Sequence, residues 1–107
     1  MNVTSNDEVK CAIGLAGLKH VDDPEIGLNV VDLGLIYELD FNEETKQVTC
    51  TMTLTTEFCP MGESIVDNCK DSLQASFPEY SIDVNLIFDP PWSFEKISEE
   101  GRAFLGR

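Results

Sequence analysis

A chain of 107 residues that is 42% hydrophobic suits one domain spanning 1–107, since a chain of this size buries roughly two thirds of its unfolded surface. Its net charge of −13, from 20 acidic against 7 basic residues, opposes phosphate backbones and anionic lipid, which excludes nucleic acid and membrane surfaces as partners. No stretch approaches the length of a membrane span, and residues 1–8 lack the basic and apolar regions of a secretory signal.

Ser5-Asn6-Asp7-Glu8 reads as a capping box, and Val9, Ala12, Ile13 and Ala16 fall on one helical stripe, which predicts a helix over 6–18 with Cys11 on the exposed opposite face. His20 to Gly27 is a polar loop in which Pro24 holds Asp23 extended and Gly27 permits a turn, with His20 in solvent. From Val30 to Phe41 the chain reads as a first strand, with Leu35, Tyr37, Leu39 and Phe41 on one face. Residues 42–46 turn a hairpin into a second strand over 47–55, where Val48, Cys50, Met52 and Leu54 alternate with threonines at 49, 51, 53 and 55.

Ile65, Val66, Cys69 and Leu73 recur at helical spacing, predicting an amphipathic helix over 60–76, with Pro60 in its first turn. A third strand follows over 81–88, with Ile82, Val84, Leu86 and Phe88 inward. A strand–helix–strand order places it parallel to the second strand. Asp89-Pro90-Pro91-Trp92 is stiffened by its prolines, and Ser93 caps a short helix holding Phe94 and Ile97 before a tail. The fold class is α/β (α+β): a three-stranded mixed sheet, made of an antiparallel hairpin plus a parallel crossover strand, with two main helices and a short C-terminal one.

Four cysteines at 11, 50, 59 and 69 form no C-x-x-C pair, and Cys50 and Cys69 sit at core positions. A reduced, cytoplasmic protein without structural disulfides follows. Cys59 differs, because it falls where a strand gives way to a helix. Unpaired backbone N–H groups and the helix dipole favour thiolate there, while Glu57 and Glu63 oppose it, so a modest pKa depression is expected. In open α/β sheets, ligands bind beyond the carboxyl ends of the strands. The second strand ends at Thr55 and Thr56 with Cys59 beyond, and Asp89 follows the third, while the loop holding Asp23 and Glu25, and Asp32 at the start of the antiparallel first strand, border the same end. One thiol, two hydroxyls and several carboxylates therefore converge on one rim. The competing roles are ordinary ones: aspartates at 23, 32 and 89 as turn and cap residues, the threonines as a solvent face and Trp92 as packing. Four zinc ligands, a cysteine–histidine dyad motif and a glycine-rich phosphate loop are all missing from the sequence.

Asp23-Pro24-Glu25, Asn29 to Ile36, Thr53-Leu54-Thr55-Thr56 with Cys59-Pro60-Met61, and Asp89 to Ser93 with Gly101-Arg102 together resemble the iron-sulfur cluster assembly domain family, which includes PaaD-like and SufT-like metal-sulfur cluster biosynthetic proteins. The resemblance covers almost the whole chain. It implies a small α/β domain with a reactive Cys59 ringed by Asp23, Glu25, Asp32, Thr55, Thr56 and Asp89. It also implies a carrier or targeting adaptor that binds iron or an iron-sulfur cluster transiently through Cys59, with the assembly machinery and recipient apoproteins as partners, and not a turnover enzyme. One thiol supplies one ligand, so a second protomer in a homodimer, a partner's cysteine or a small thiol would complete the coordination. The alternatives are an adaptor subunit of an oxygenase or assembly complex that binds no metal, and a thiol enzyme with Cys59 as nucleophile.

Overall fold

The computed structural model describes residues 3–24, 26–55, 62–89 and 91–105. Their elements are β1 (Thr4–Ser5), α1 (Glu8–Leu18), β2 (Asp22–Asp23), β3 (Leu28–Asn29), β4 (Ile36–Asn42), β5 (Gln47–Met52), α2 (Gly62–Ser76), β6 (Ser81–Leu86), a 3₁₀ turn (Phe94–Lys96) and α3 (Glu99–Leu105). The main sheet runs β1-β4-β5-β6, with β4–β5 antiparallel and both β1–β4 and β5–β6 parallel; β2 and β3 form a separate two-stranded ribbon. The α/β class, the hairpin and the parallel crossover agree with the sequence. The sheet has four strands and not three.

The added strand explains itself chemically. β1 pairs only Thr4 with Glu38 and Ser5 with Leu39, too short to carry any periodicity. Asn6 then continues the pairing with its side chain: its Nδ2–H donates to the Phe41 carbonyl at 2.8 Å, and its Oδ1 accepts from the Phe41 N–H at 2.9 Å. Ser5 is spent in this approach, its Oγ accepting from the Asp7 N–H. The helix cap therefore falls to Asp7, whose carboxylate accepts from the Lys10 N–H, and α1 starts at Glu8 and not Asn6.

The expected buried face of α1 is reversed. Val9 is 72% and Ile13 49% exposed, with Ala12 and Ala16 beside them, while Cys11, Gly14, Leu15 and Leu18 are buried. Two stripes of helical spacing compete along this segment, and the one that wins carries the larger leucines and the glycines. A Cβ at Gly14 would meet Leu39 and Leu73 at 3.3 Å, and one at Gly17 would meet the Ser72 and Ser76 hydroxyls at 3.0 Å. That face lets α1 lie close against the sheet and α2.

β4 begins six residues later than the apolar run, because 28–34 fold into the ribbon and a tight turn held by Leu33 N–H to the Asn29 carbonyl, Gly34 N–H to Val31 and Leu35 N–H to Val30. Gly34 stands at φ +78°, where a Cβ would lie 2.2 Å from the Lys96 carbonyl oxygen. A register irregularity between Ile36 and Glu38 breaks the expected alternation, burying Ile36, Leu39 and Phe41 and leaving Tyr37 half-buried under the Lys96 ammonium. β5 ends at Met52, three residues early. Thr53, expected in solvent, is fully buried and donates its N–H to the Leu35 carbonyl.

Val48, Cys50 and Met52 of β5 join Ile65, Cys69 and Leu73 of α2 in one core, as their spacing requires. Among the described residues, three cysteines are free and buried, Cys11 included against expectation. Burial pushes the Cys50 and Cys69 thiols up to about 12. At the C-terminus the short helix expected after Ser93 is the 3₁₀ turn Phe94–Lys96, in which the Lys96 N–H donates to the Ser93 carbonyl, and the expected tail holds a regular helix, α3. Its Phe104 is exposed, and Trp92 packs on the core with its Nε1–H donating to the Leu33 carbonyl at 2.6 Å. No helix among the described residues is long and apolar enough to cross a membrane.

Candidate functional site

The strands β5 and β6 run parallel and finish together, Met52 opposite Leu86, and α2 starts above the same end at Gly62. Thr55 and Gly62 are thus the two described anchors of the segment that carries Cys59. Between them opens a cavity of about 530 Å³ bordered by Leu54, Leu86 and Phe88 from the strand ends and by Gly62, Glu63, Val66 and Asp67 from α2. Leu86 faces the helix side through its register with the fully buried Met52, yet it is 38% exposed. Glu63 and Asp67, one helical turn apart on α2, are exposed and have no ion-pair partner among the described residues.

Of the expected site residues, Thr55 and Asp89 are the chain neighbours of the cavity-lining Leu54 and Phe88; Thr55 is half-buried and Asp89 exposed. Cys59, Thr56 and Glu25 lie outside the described residues. Asp32 is not among the residues that border this cavity. It borders a different cavity, of about 380 Å³, with Asp22, Asn29 and Glu100. Its carboxylate accepts from Asn29 Nδ2–H at 2.7 Å and from the Ser98 hydroxyl at 2.9 Å, while its carbonyl accepts from the Ser98 N–H at 2.8 Å. Ser98 Oγ in turn accepts from the Gly101 N–H, capping α3. Asp32 is thereby the tie between the 28–34 turn and α3. Gly101 completes the tie, since a Cβ there would meet Ile97 and Leu28 at 2.9 Å. Asp23 is almost fully buried in the ribbon, its carbonyl accepting from the Ile26 and Gly27 N–H groups.

The sequence assigned Leu86 and Phe88 to the core and did not single out Val66 or Asp67 as part of a site. The missed signal was positional: Leu86 ends the last strand of the sheet order, where one flank has no neighbouring strand. Among the described residues no group of three histidine, cysteine or acidic side chains is placed to hold a metal ion. What the described part of this end supplies is an apolar recess with carboxylates at its rim.

Comparison with known proteins agrees with this architecture. A crystallised domain of unknown function from Bacillus anthracis superposes with a TM-score of 0.85 at 38% identity, covering 92% of this chain and 93% of that one. The Fe-S protein maturation auxiliary factor YitW of Bacillus subtilis is 39% identical over 86% of this chain and 89% of its own. The Fe-S protein maturation auxiliary factor SufT of Staphylococcus aureus is 40% identical over 80% of this chain and 97% of its own. The model of the family described as iron-sulfur cluster assembly protein matches residues 15–85. The chain belongs to the iron-sulfur cluster assembly protein family.

Proposed function

We propose that this protein is an iron-sulfur protein maturation factor, a carrier or targeting adaptor in which Cys59 ligates iron or a cluster transiently as cargo. Kinship with SufT and YitW, each an Fe-S protein maturation auxiliary factor, supports the general role. The assignment to Cys59 rests chiefly on the fate of the other cysteines. Cys11, Cys50 and Cys69 are enclosed in the core, and the Cys50 and Cys69 thiols, pushed up to about 12 by burial, offer no thiolate at neutral pH. Cys59, outside the described residues, is the remaining cysteine of the sequence.

Thr55 and Asp89, chain neighbours of the cavity-lining Leu54 and Phe88, are proposed as oxygen donors around the cargo, with Thr56 and Glu25 as further candidates from the sequence. Asp32 ties the 28–34 turn to α3, and the buried Asp23 stays a candidate from the sequence. A single thiolate leaves coordination to be completed by a second protomer, by a small thiol or by a cysteine of the recipient, and incomplete coordination favours hand-over against storage. The assembly machinery and recipient apoproteins are the partners, in a reducing compartment such as the cytoplasm.

Anaerobic reconstitution with ferrous iron and sulfide tests this in the full chain. Charge-transfer absorbance in the visible is expected from wild type and lost in Cys59→Ala, while Cys11→Ser keeps it. Equal absorbance from wild type and Cys59→Ala overturns the assignment.

A further inference from the structure

A carrier must meet the protein it loads, and the described surface between the end of β5 and the start of α2, the two elements that flank the Cys59 segment in the chain, has a definite chemistry. We propose that the cavity between the ends of β5 and β6 and the first turns of α2 docks an extended segment of a recipient protein, one that presents a large apolar side chain next to a lysine or arginine. This rests on the reading of Cys59 as the cargo ligand, because Leu54 and Gly62, which border the cavity, flank in sequence the segment that carries it.

Three observations carry it. Leu86 stands in register with core residues but is left 38% exposed over a recess of about 530 Å³, a size suited to engulfing an apolar anchor. The floor is apolar, from Leu54, Val66, Leu86 and Phe88, so water held there gains by being displaced. The rim carries Glu63 and Asp67, with Asp89 beyond Phe88, and no basic side chain among the described residues neutralises them. An apolar anchor with a flanking cation matches both parts, and the overall charge of −13 speeds its approach.

The same features disfavour other occupants. Anionic lipid and nucleic acid meet repulsion at the rim. A second copy meeting this face across a two-fold axis would crowd Glu63 and Asp67 against their own equivalents. The exposed Val9–Ile13 stripe of α1 is a separate apolar surface and serves as the internal control.

The test uses metal-free, full-length Cys59→Ala protein labelled with nitrogen-15, so that its outcome is independent of cluster binding. The probe is a short synthetic peptide holding one phenylalanine between two lysines. Two control peptides replace the phenylalanine with serine or the lysines with glutamate. Amide shifts are expected at Leu54, Val66, Leu86 and Asp89 with the first peptide alone. Leu86→Lys and Asp67→Lys, both changes at exposed positions, should each weaken binding by about tenfold. Shifts confined to the Val9 and Ile13 face, equal binding of the controls, or unchanged affinity in both variants overturns the proposal. Loss of cluster absorbance in Cys59→Ala with no peptide docking would sink this inference and leave the proposed function standing; docking with unchanged absorbance would do the reverse.

Discussion

At the end of the sheet where residues 43–46 turn the hairpin, the Glu43 carboxylate meets Lys10, lies 3.4 Å from the Lys46 ammonium and accepts from the Tyr80 hydroxyl at 2.7 Å. At the opposite end, Glu63 and Asp67 face solvent over an apolar recess and meet no cation among the described residues. Beneath Glu43, Phe41, Phe77 and Tyr80 stack edge to face with centroids 5.3 and 5.9 Å apart, and both lysines sit near the Tyr80 ring. One end has spent its charges on itself. The other keeps charge and apolar surface exposed among the described residues, which is what the proposed docking needs.

The contrast is not one of rigidity against softness, because the 28–34 turn at the recess end is tightly held. Gly34→Ala breaks that hold most severely: it combines a left-handed φ with a Cβ driven into the Lys96 carbonyl, and a loss of about 2–4 kcal/mol is expected from denaturant midpoints. A loss below about 1 kcal/mol would mean that the turn relaxes freely. Ser98→Ala removes both the cap of α3 and a donor to the buried Asp32 carboxylate, for about 1–2 kcal/mol by the same measurement.

The closed end should reveal itself through pH. The Lys10 ammonium, then the Tyr80 hydroxyl, hold the Glu43 carboxyl down to about 2 from its ordinary 4.5. A depressed folded-state pKa means that the carboxylate's contribution is fully present above about pH 4.5 and disappears as pH falls toward 2. Wild type and Glu43→Gln should therefore differ in thermal midpoint at neutral pH and converge across that window. A difference that persists unchanged at pH 2 would remove the carboxylate from the account. Because Glu43 is solvent-exposed, the effect is modest and shrinks with salt.

The smallest change is expected at the recess. Glu63→Gln and Asp67→Asn should alter stability by no more than about 0.5 kcal/mol, since neither carboxylate has a fold-internal partner among the described residues. A larger loss would show that these groups belong to the scaffold and would erase the distinction between the two ends.

How much of this could be read from the chain depends on which force set each feature. The α2 segment was legible because one unambiguous stripe, Ile65, Cys69 and Leu73, had only one way to be buried. The α1 segment offered two stripes, and the choice depended on whether Gly14 and Gly17 had a sheet and a second helix to approach. Leu86 followed the strand alternation correctly and was still misjudged, because alternation gives the face but not whether anything covers it. Asp32 was recognised as notable, yet its partners Asn29 and Ser98 come from separate turns, one of them 66 residues away in sequence.

The sequence by itself determined the α/β class, the hairpin, the parallel return of β6, the buried Cys50 and Cys69 and the family, since these follow from periodicity, turn chemistry and motifs contained in local stretches. Only the tertiary structure decided the fourth strand, the buried face of α1, the scaffold role of Asp32 and the open recess beside Leu54 and Leu86. Each of those turns on a contact between segments distant in the chain, and on whether the space over an apolar side chain is filled, which no local pattern encodes.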